Sequence, residues 1–125
     1  MLKFYLCETC KNVIMKLVDS KVPVVCCGNP MKELVPGAVD GAFEKHVPAV
    51  TIEGNVVKVQ IGEVIHPMMA EHYIQFIALE TKTGAQIKYL NAGDEPKAEF
   101  VLADGEEAVA VYEYCNLHGL WVKEV

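Results

Sequence analysis

The chain is organised around one stretch near its C-terminus, Glu113-Tyr114-Cys115-Asn116-Leu117-His118-Gly119-Leu120-Trp121. The apolar run at 108–112 that precedes it predicts a β-strand, because β-branched and aromatic residues pack well on a pleated surface. Asn116 and Gly119 favour a tight turn after this strand. Across that turn, the spacing of Cys115 and His118 lets a thiolate and an imidazole bind one metal ion.

The distribution of cysteines and histidines along the chain indicates two metal sites. An isolated Cys-x-x-His pair is more often a buried cysteine beside an unrelated surface histidine. Here, however, all four histidines lie in the last two thirds of the chain with a single cysteine: His46, His66, His72, His118 and Cys115. The other cysteines lie together at the front: Cys7, Cys10, Cys26 and Cys27. The soft or borderline ligands therefore form a Cys₄ set and a His₄Cys set, with none left over.

Length and composition limit the classes of protein. The 125 residues, 52% of them hydrophobic, suit one medium domain, or a small domain with external support plus one of about ninety residues. No apolar run approaches the roughly 20 residues of a membrane span, and the first ten residues lack the features of a signal peptide. We therefore expect a cytoplasmic protein, in which five cysteines are ligands or reactive thiols rather than a disulfide framework.

The charge pattern argues against nucleic acid as a partner. The net charge is −6, and all eleven basic residues are lysines, so the bidentate guanidinium groups that bind phosphates and guanines are missing. Residues 1–36 carry five lysines against three acids, whereas residues 37–125 carry six lysines against fourteen acids. A mildly basic head thus precedes an acidic body.

The head, residues 1–36, alternates short β-prone pieces with turns and has too little apolar surface to offset its chain entropy. A metal or covalent staple is therefore expected. Cys7-x-x-Cys10 and the adjacent pair Cys26-Cys27 supply four thiolates for tetrahedral zinc or iron. The adjacent pair is unusual, because neighbouring cysteines must bend the backbone to share an ion. A structural zinc site and a strained vicinal disulfide are the alternatives.

The body, residues 37–125, has the pattern of an antiparallel β-sandwich. Pro36-Gly37 marks the boundary, Asp40-Gly41 a turn, and the mixed segment 43–48 a loop. A hairpin with a Gly54-Asn55 turn follows, joining strands at 50–53 and 56–61. Further strands are predicted at 73–79, 86–90, 98–102 and 108–114, with no convincing amphipathic helix. The metal ligands then fall at strand ends and loops, which a rigid sandwich can bring together at one end.

Head and body together resemble a known family, the two-iron superoxide reductases, also called desulfoferrodoxins. The resemblance covers the whole chain. The head, with Cys7-x-x-Cys10 and Cys26-Cys27-Gly28, is similar to desulforedoxin. The body is similar to the neelaredoxin-type immunoglobulin-like domain in these segments: Asp40-Gly41-Ala42, Glu44-Lys45-His46-Val47-Pro48, His66-Pro67-Met68, His72 and the stretch Cys115 to Trp121.

The resemblance implies two non-haem iron ions per chain. The four head cysteines would hold an Fe(Cys)₄ centre, and the body would hold an Fe(His)₄(Cys) centre with equatorial His46, His66, His72 and His118 and axial Cys115. The sixth position would be open, or taken by Glu44 in the ferric state, and Lys45 matches the family's lysine beside the open face. Lys11 departs from the family, which usually has glycine there. A left-handed backbone at this position would cost a lysine about 1 kcal/mol.

The implied function is one-electron reduction of superoxide to hydrogen peroxide without O₂ production, in a homodimer supplied by a rubredoxin-type electron donor. The alternative is a non-catalytic electron-transfer or metal-binding protein, rubredoxin-like or cupredoxin-like. Against a cupredoxin, no methionine follows His118 in the remaining seven residues, and four histidines exceed the blue-copper set of two. A zinc hydrolase would not explain a thiolate with four histidines, since catalytic zinc normally keeps three protein ligands.

Overall fold

The protein folds into two compact units, Met1–Val35 and Pro36–Val125, called here the N-terminal and C-terminal units. The computed structural model describes residues 1–39 and 41–125. Asp40, which the sequence marks as part of a turn, lies outside the described residues. Among these residues, no helix has the length and apolar character needed to cross a bilayer.

The N-terminal unit is built from very short strands. They are β1 (Phe4–Leu6), β2 (Val13–Met15), β3 (Val25–Cys26), β4 (Asn29–Pro30) and β5 (Lys32–Glu33). β2, β1 and β5 form an antiparallel three-stranded sheet in that order, and β3 pairs with β4 in a separate hairpin. The unit buries few large side chains, chiefly Phe4 and Tyr5, as expected from its low apolar content.

The C-terminal unit is an antiparallel β-sandwich, which confirms the fold class predicted from the sequence. After a single helical turn its elements are strands: α1 (Phe43–His46), β6 (Pro48–Glu53), β7 (Val56–Ile61), β8 (Ile74–Thr81), β9 (Ala85–Tyr89), β10 (Lys97–Val101), β11 (Ala108–Cys115) and β12 (Gly119–Glu124). One sheet has the order β10-β7-β6 and the other β12-β11-β8-β9. Alternate residues of both sheets, such as Val57, Phe100 and Val111, meet in one buried core.

The strand ends of the sandwich carry the candidate ligands. His46 is the last residue of α1, just before β6, and His66 and His72 lie in the connection from β7 to β8. Cys115 ends β11, and His118 lies in the short turn before β12. Because Cys115 pairs with Ile74 at the start of β8, the sheet itself brings the β11 turn next to the segment that carries His72.

Two local features differ from the sequence-based expectation. The segment at 43–48, expected as a loop, begins with the helical turn α1, which is too short to show a helical period in the sequence. The C-terminal residues form β12, which was not predicted. It pairs with β11 from Cys115↔Gly119 to Ala110↔Glu124, and only its first three residues are buried.

Candidate metal centres

The four histidines of the C-terminal unit form a closed ring of imidazoles. Neighbouring ring centroids lie 4.7 Å apart for His46 and His66, 4.7 Å for His66 and His72, 4.9 Å for His72 and His118, and 4.7 Å for His118 and His46. Each ring stands nearly perpendicular to its neighbours, with interplanar angles of 77° to 86°. This arrangement directs one nitrogen of every ring toward a common centre.

Backbone carbonyls fix which nitrogen faces that centre. The carbonyl oxygen of Ala42 lies 2.7 Å from His46 Nδ1, and that of Pro67 lies 2.6 Å from His66 Nδ1. Because a carbonyl can only accept, each Nδ1 carries the proton and each Nε2 keeps its lone pair. Both Nε2 atoms face the centre, 3.1 Å apart, and His118 presents Nδ1 to it, 3.0 Å from His46 Nε2.

Burial favours the neutral form of three of these imidazoles. Desolvation lowers the pKa of His46 and of His72, and it lowers the pKa of His66 to about 4. The other histidines of the ring lower all three values further, because neighbouring imidazolium charges repel. Neutral imidazoles are the form that binds metal ions, so the protein presents the ring ready for a cation.

Cys115 completes the donor set. Its thiol is fully buried, and its Sγ lies 3.9 Å from His118 Nδ1. Desolvation raises the pKa of this thiol, so a nearby cation is needed to hold it as a thiolate. The five donor atoms all lie within 4.8 Å of one another. Within the described residues, His72 Nε2 is buried without a hydrogen-bond partner, as expected of an atom reserved for a metal.

Side chains around the ring hold the ligand segments in place. The Trp121 indole stacks on His46, with centroids 5.1 Å apart, and its Nε1 donates to the His118 carbonyl at 2.9 Å. Asn116, in the β11–β12 turn, accepts from the Tyr73 backbone N–H at 2.9 Å and donates to the Glu71 carbonyl at 3.1 Å. Trp121 thus braces two ligands, and Asn116 fixes the segment that carries His72.

Glu44 and Lys45 occupy different environments beside the ring. Lys45 is half-buried in the helical turn that ends at His46, and its positive charge contributes to lowering the pKa of both His46 and His72. Glu44 is exposed and borders a surface cavity with Val50 and Lys123. Among the described residues, the cluster of mutually close donors contains the five ligands named above and not Glu44. Its role as a sixth ligand stays a prediction.

The N-terminal unit brings its four cysteines together as the spacing predicts. The sulfurs of Cys7, Cys10, Cys26 and Cys27 lie within 4.8 Å of one another, and all are free thiols. The Cys10 N–H lies 3.5 Å from Cys7 Sγ and lowers the pKa of Cys7 to about 6. Hydrogen bonding to the Cys10 sulfur is the main cause that raises the pKa of Cys27 to about 12. Four sulfurs this close can all be thiolates only around a cation.

The backbone of this cysteine cluster is bent in the way the sequence suggests. Cys27 has a φ of 51°, in the left-handed region. This conformation accompanies the arrangement in which the sulfurs of the adjacent cysteines, Cys26 and Cys27, both lie in the cluster. Lys11, just after Cys10, has a φ of 70°, the conformation that glycine adopts without strain. Lysine is therefore strained at this position, where the family resemblance implies a glycine.

One buried group near the histidine ring, Glu113, was not singled out from the sequence. Glu113 is fully buried, and desolvation raises its pKa well above the usual range of a carboxyl. Within the described part of the chain, neither of its carboxyl oxygens has a hydrogen-bond partner. Because side chains alternate along β11, Glu113 faces the same side as Val111 and Cys115. The apolar residues on either side of it on this face, Val111 and Cys115, are the only sequence signal that Glu113 is buried.

Comparison with known proteins gives consistent matches. The desulfoferrodoxin family profile matches residues 38–124. A desulfoferrodoxin from Syntrophotalea carbinolica is 43% identical over 123 residues, which are 98% of this chain and 96% of the relative. The superoxide reductase from Treponema pallidum has a structure with TM-score 0.83, 35% identity and 99% coverage of both chains. A superoxide reductase (1Fe-SOR) from Giardia intestinalis gives TM-score 0.57 at 35% identity, covering 66% of this chain and 97% of its own.

Proposed function

The chain belongs to the desulfoferrodoxin family, and on that premise we propose that it is a superoxide reductase. It reduces superoxide to hydrogen peroxide with one external electron and releases no O₂. The observation that carries this proposal is the ring of four imidazoles together with one buried thiol. The names of the similar solved structures support the same activity.

The donor set suits iron. Three Nε2 atoms, His118 Nδ1 and the Cys115 sulfur would hold it. When bound there, ferrous iron supplies the electron for superoxide, and a thiolate ligand strengthens its reducing power by donating electron density. Because the imidazoles are neutral, this set adds only the thiolate charge to the metal. The cysteine cluster of the N-terminal unit would hold a second iron, Fe(Cys)₄.

Lys45 would guide the substrate. Superoxide is an anion, and the protein carries a net charge of −6, so the overall field opposes its approach. Cys115 is fully buried, so the open approach to the ring would lie away from it, and Lys45 is a half-buried cation whose charge acts on His46 and His72. The same ammonium can orient a water that delivers one of the two protons hydrogen peroxide needs.

Glu44 would act at a different stage. A carboxylate cannot attract an anion, so it has no use in the encounter with superoxide. Its position next to Lys45 and close to His46 in sequence makes it the available carboxylate for the ferric site once the product has left. Glu44 is exposed in the structure, so a change of side-chain rotamer would have to bring it to the site.

The electron donor and the assembly follow from the family resemblance and stay predictions. We propose a rubredoxin-type carrier as donor and a homodimer as the working form. The donor would be tested by following the reduction of the visible bands by rubredoxin. The homodimer would be tested by light scattering of the purified protein.

The proposed activity is tested by metal content and product stoichiometry together. We expect about two irons per chain, a visible spectrum with bands from both sites, and one hydrogen peroxide for each superoxide and each electron consumed. Superoxide dismutation, by contrast, would yield one O₂ for every two superoxide ions. Zinc in place of iron at the histidine site, or O₂ release in that ratio from the iron-loaded protein, would contradict the proposal. A non-catalytic electron carrier would consume no superoxide beyond the uncatalysed rate.

A further inference from the structure

Gly62, at the end of β7, lies in unusually close contact with the segment that carries Lys45. An ideal Cβ on Gly62 would lie 2.6 Å from the Lys45 carbonyl oxygen, 2.7 Å from its carbonyl carbon and 2.5 Å from the Val64 carbonyl oxygen. Any of these distances is a clash with backbone, which cannot swing aside as a side-chain tip can. Gly62 also has a φ of 79°. This position therefore requires glycine for two reasons, the left-handed backbone and the lack of space for a Cβ.

Two hydrogen bonds join the same segments. The Gly62 N–H donates to the Val47 carbonyl at 3.2 Å, and the Val64 N–H donates to the Glu44 carbonyl at 3.1 Å. Together they hold the β7–β8 connection against both ends of the helical turn that contains Lys45. Gln60 adds to this by donating from Nε2 to the Gly62 carbonyl at 3.2 Å.

The helical turn α1 needs such support. It spans only Phe43–His46, and its N-cap residue Ala42 makes no side-chain capping hydrogen bond. One turn of helix is unstable alone, because nucleation fixes several residues for very few hydrogen bonds. Its position, and with it the direction of the Lys45 side chain, must therefore come from the segments packed against it.

We infer that Gly62 is a positioning residue for the substrate-guiding lysine: its missing side chain lets the end of β7 approach the Lys45 carbonyl and fix α1 beside the histidine ring. This inference rests on the proposed function for the role of Lys45, but not for the contact itself. A methyl group at position 62 would push the Lys45 backbone away by a fraction of an ångström or more. Because the attraction between two charges weakens with distance, moving the Lys45 ammonium away from the path of the anion lowers the rate toward that of a protein without this charge.

The chain offers a matched control. Gly105, in the turn between β10 and β11, has a φ of 80°, and no heavy atom lies within 4 Å of its ideal Cβ. Gly105→Ala therefore introduces the same backbone strain as Gly62→Ala without the clash. Asparagine tolerates left-handed backbone better than alanine but also carries a Cβ. Gly62→Asn and Gly105→Asn form a second pair, in which the backbone strain is smaller and only the Gly62 variant has the clash.

The experiment compares these four variants in the iron-loaded protein. We expect both alanine variants to lose similar thermal stability from backbone strain, with an additional loss for Gly62→Ala. Only the Gly62 variants should react with superoxide several-fold more slowly, up to the roughly tenfold loss that removal of the Lys45 charge would cause, with a flatter ionic-strength dependence. A readout independent of activity is the fluorescence of Trp121, the only tryptophan, which stacks on His46 at the end of α1. Its emission should shift in the Gly62 variants and not in the Gly105 variants.

If the Gly62 variants match the Gly105 variants in rate, salt dependence and emission, the inference is wrong. Should the Gly62 variants fail to fold, amide hydrogen exchange of the wild-type protein decides instead. The Gly62 and Val64 amides should then exchange as slowly as those within β7, and exchange at the rate of an open loop would overturn the inference. If wild-type protein does not reduce superoxide, the proposed function fails, while the fluorescence and exchange results still decide the role of Gly62.

Discussion

Replacing Lys45 by alanine tests how the protein attracts its substrate. Lys45 is half-buried beside the histidine ring, and its charge acts on both His46 and His72. The variant removes one positive charge from a protein of net charge −6, so it makes both the local and the overall field less favourable to an anion. We therefore expect the second-order rate constant for superoxide to fall.

The size of the effect follows from the local charge. A unit charge about 6 Å from the approaching anion, at an effective dielectric constant of about 40, contributes about 1.4 kcal/mol. That free energy corresponds to about a tenfold change in rate. Because the attraction is electrostatic, salt weakens it, so wild-type protein should react more slowly as ionic strength rises. Lys45→Ala should lose this dependence along with the rate.

Lys82→Ala is the matched control, since it changes the net charge by the same amount. Lys82 follows β8 at the end opposite to Ile74, which pairs with Cys115. The eight residues of β8 place it about 25 Å from the site, several times the screening length of about 8 Å at physiological salt. The assay is pulse radiolysis of the reduced protein over a range of salt concentrations. Equal rates and equal salt dependence in Lys45→Ala and Lys82→Ala would refute the guiding role of Lys45.

Four further predictions concern single residues of the two sites. Cys10→Ser should lose the Fe(Cys)₄ chromophore and keep most of the reaction with superoxide; a rate a hundredfold lower with the second iron still bound would show that the sites are not separable. Cys115→Ser should lose the thiolate-to-ferric charge-transfer band and turnover, and retention of both would show that Cys115 is not a ligand. Glu44→Ala should leave the first rate nearly unchanged but alter the visible spectrum of the ferric protein, whereas an unaltered spectrum would exclude it as a ligand. Lys11→Gly should stabilise the metal-loaded N-terminal unit by about 1 kcal/mol, because glycine accepts the φ of 70° without strain; faster loss of its chromophore in guanidinium would contradict this.

The strands could be predicted because their pattern is local. The β6–β7 hairpin is the clearest case, since the Gly54-Asn55 turn is flanked by alternating apolar residues and the structure pairs Glu53 with Val56. The ligand sets could also be predicted, because cysteine and histidine are few and divide cleanly between residues 1–36 and residues 37–125. For these features, residue type and spacing carry enough information.

The support around the ligands could not be predicted in the same way. The choice of Nε2 at His46 depends on the Ala42 carbonyl, which any residue at position 42 would supply. The role of Gly62 depends on a clash with a backbone carbonyl 17 positions earlier in the chain, and the sequence shows only a glycine after a strand. Such features belong to backbone geometry rather than to side-chain type, so no residue pattern reports them.

The metal has a different role in the stability of each unit. The N-terminal unit buries little beyond Phe4, Tyr5 and Cys7, so the free energy that folds it must come largely from the bond between four thiolates and a cation. The C-terminal unit has an extensive core, and Cys115 belongs to that core while it also serves the site. Backbone carbonyls, Trp121 and the sheet also orient its histidine ligands, so the metal is not their only support. A site supported in this way can keep its ligands in place when the charge of the metal changes, which repeated one-electron chemistry requires.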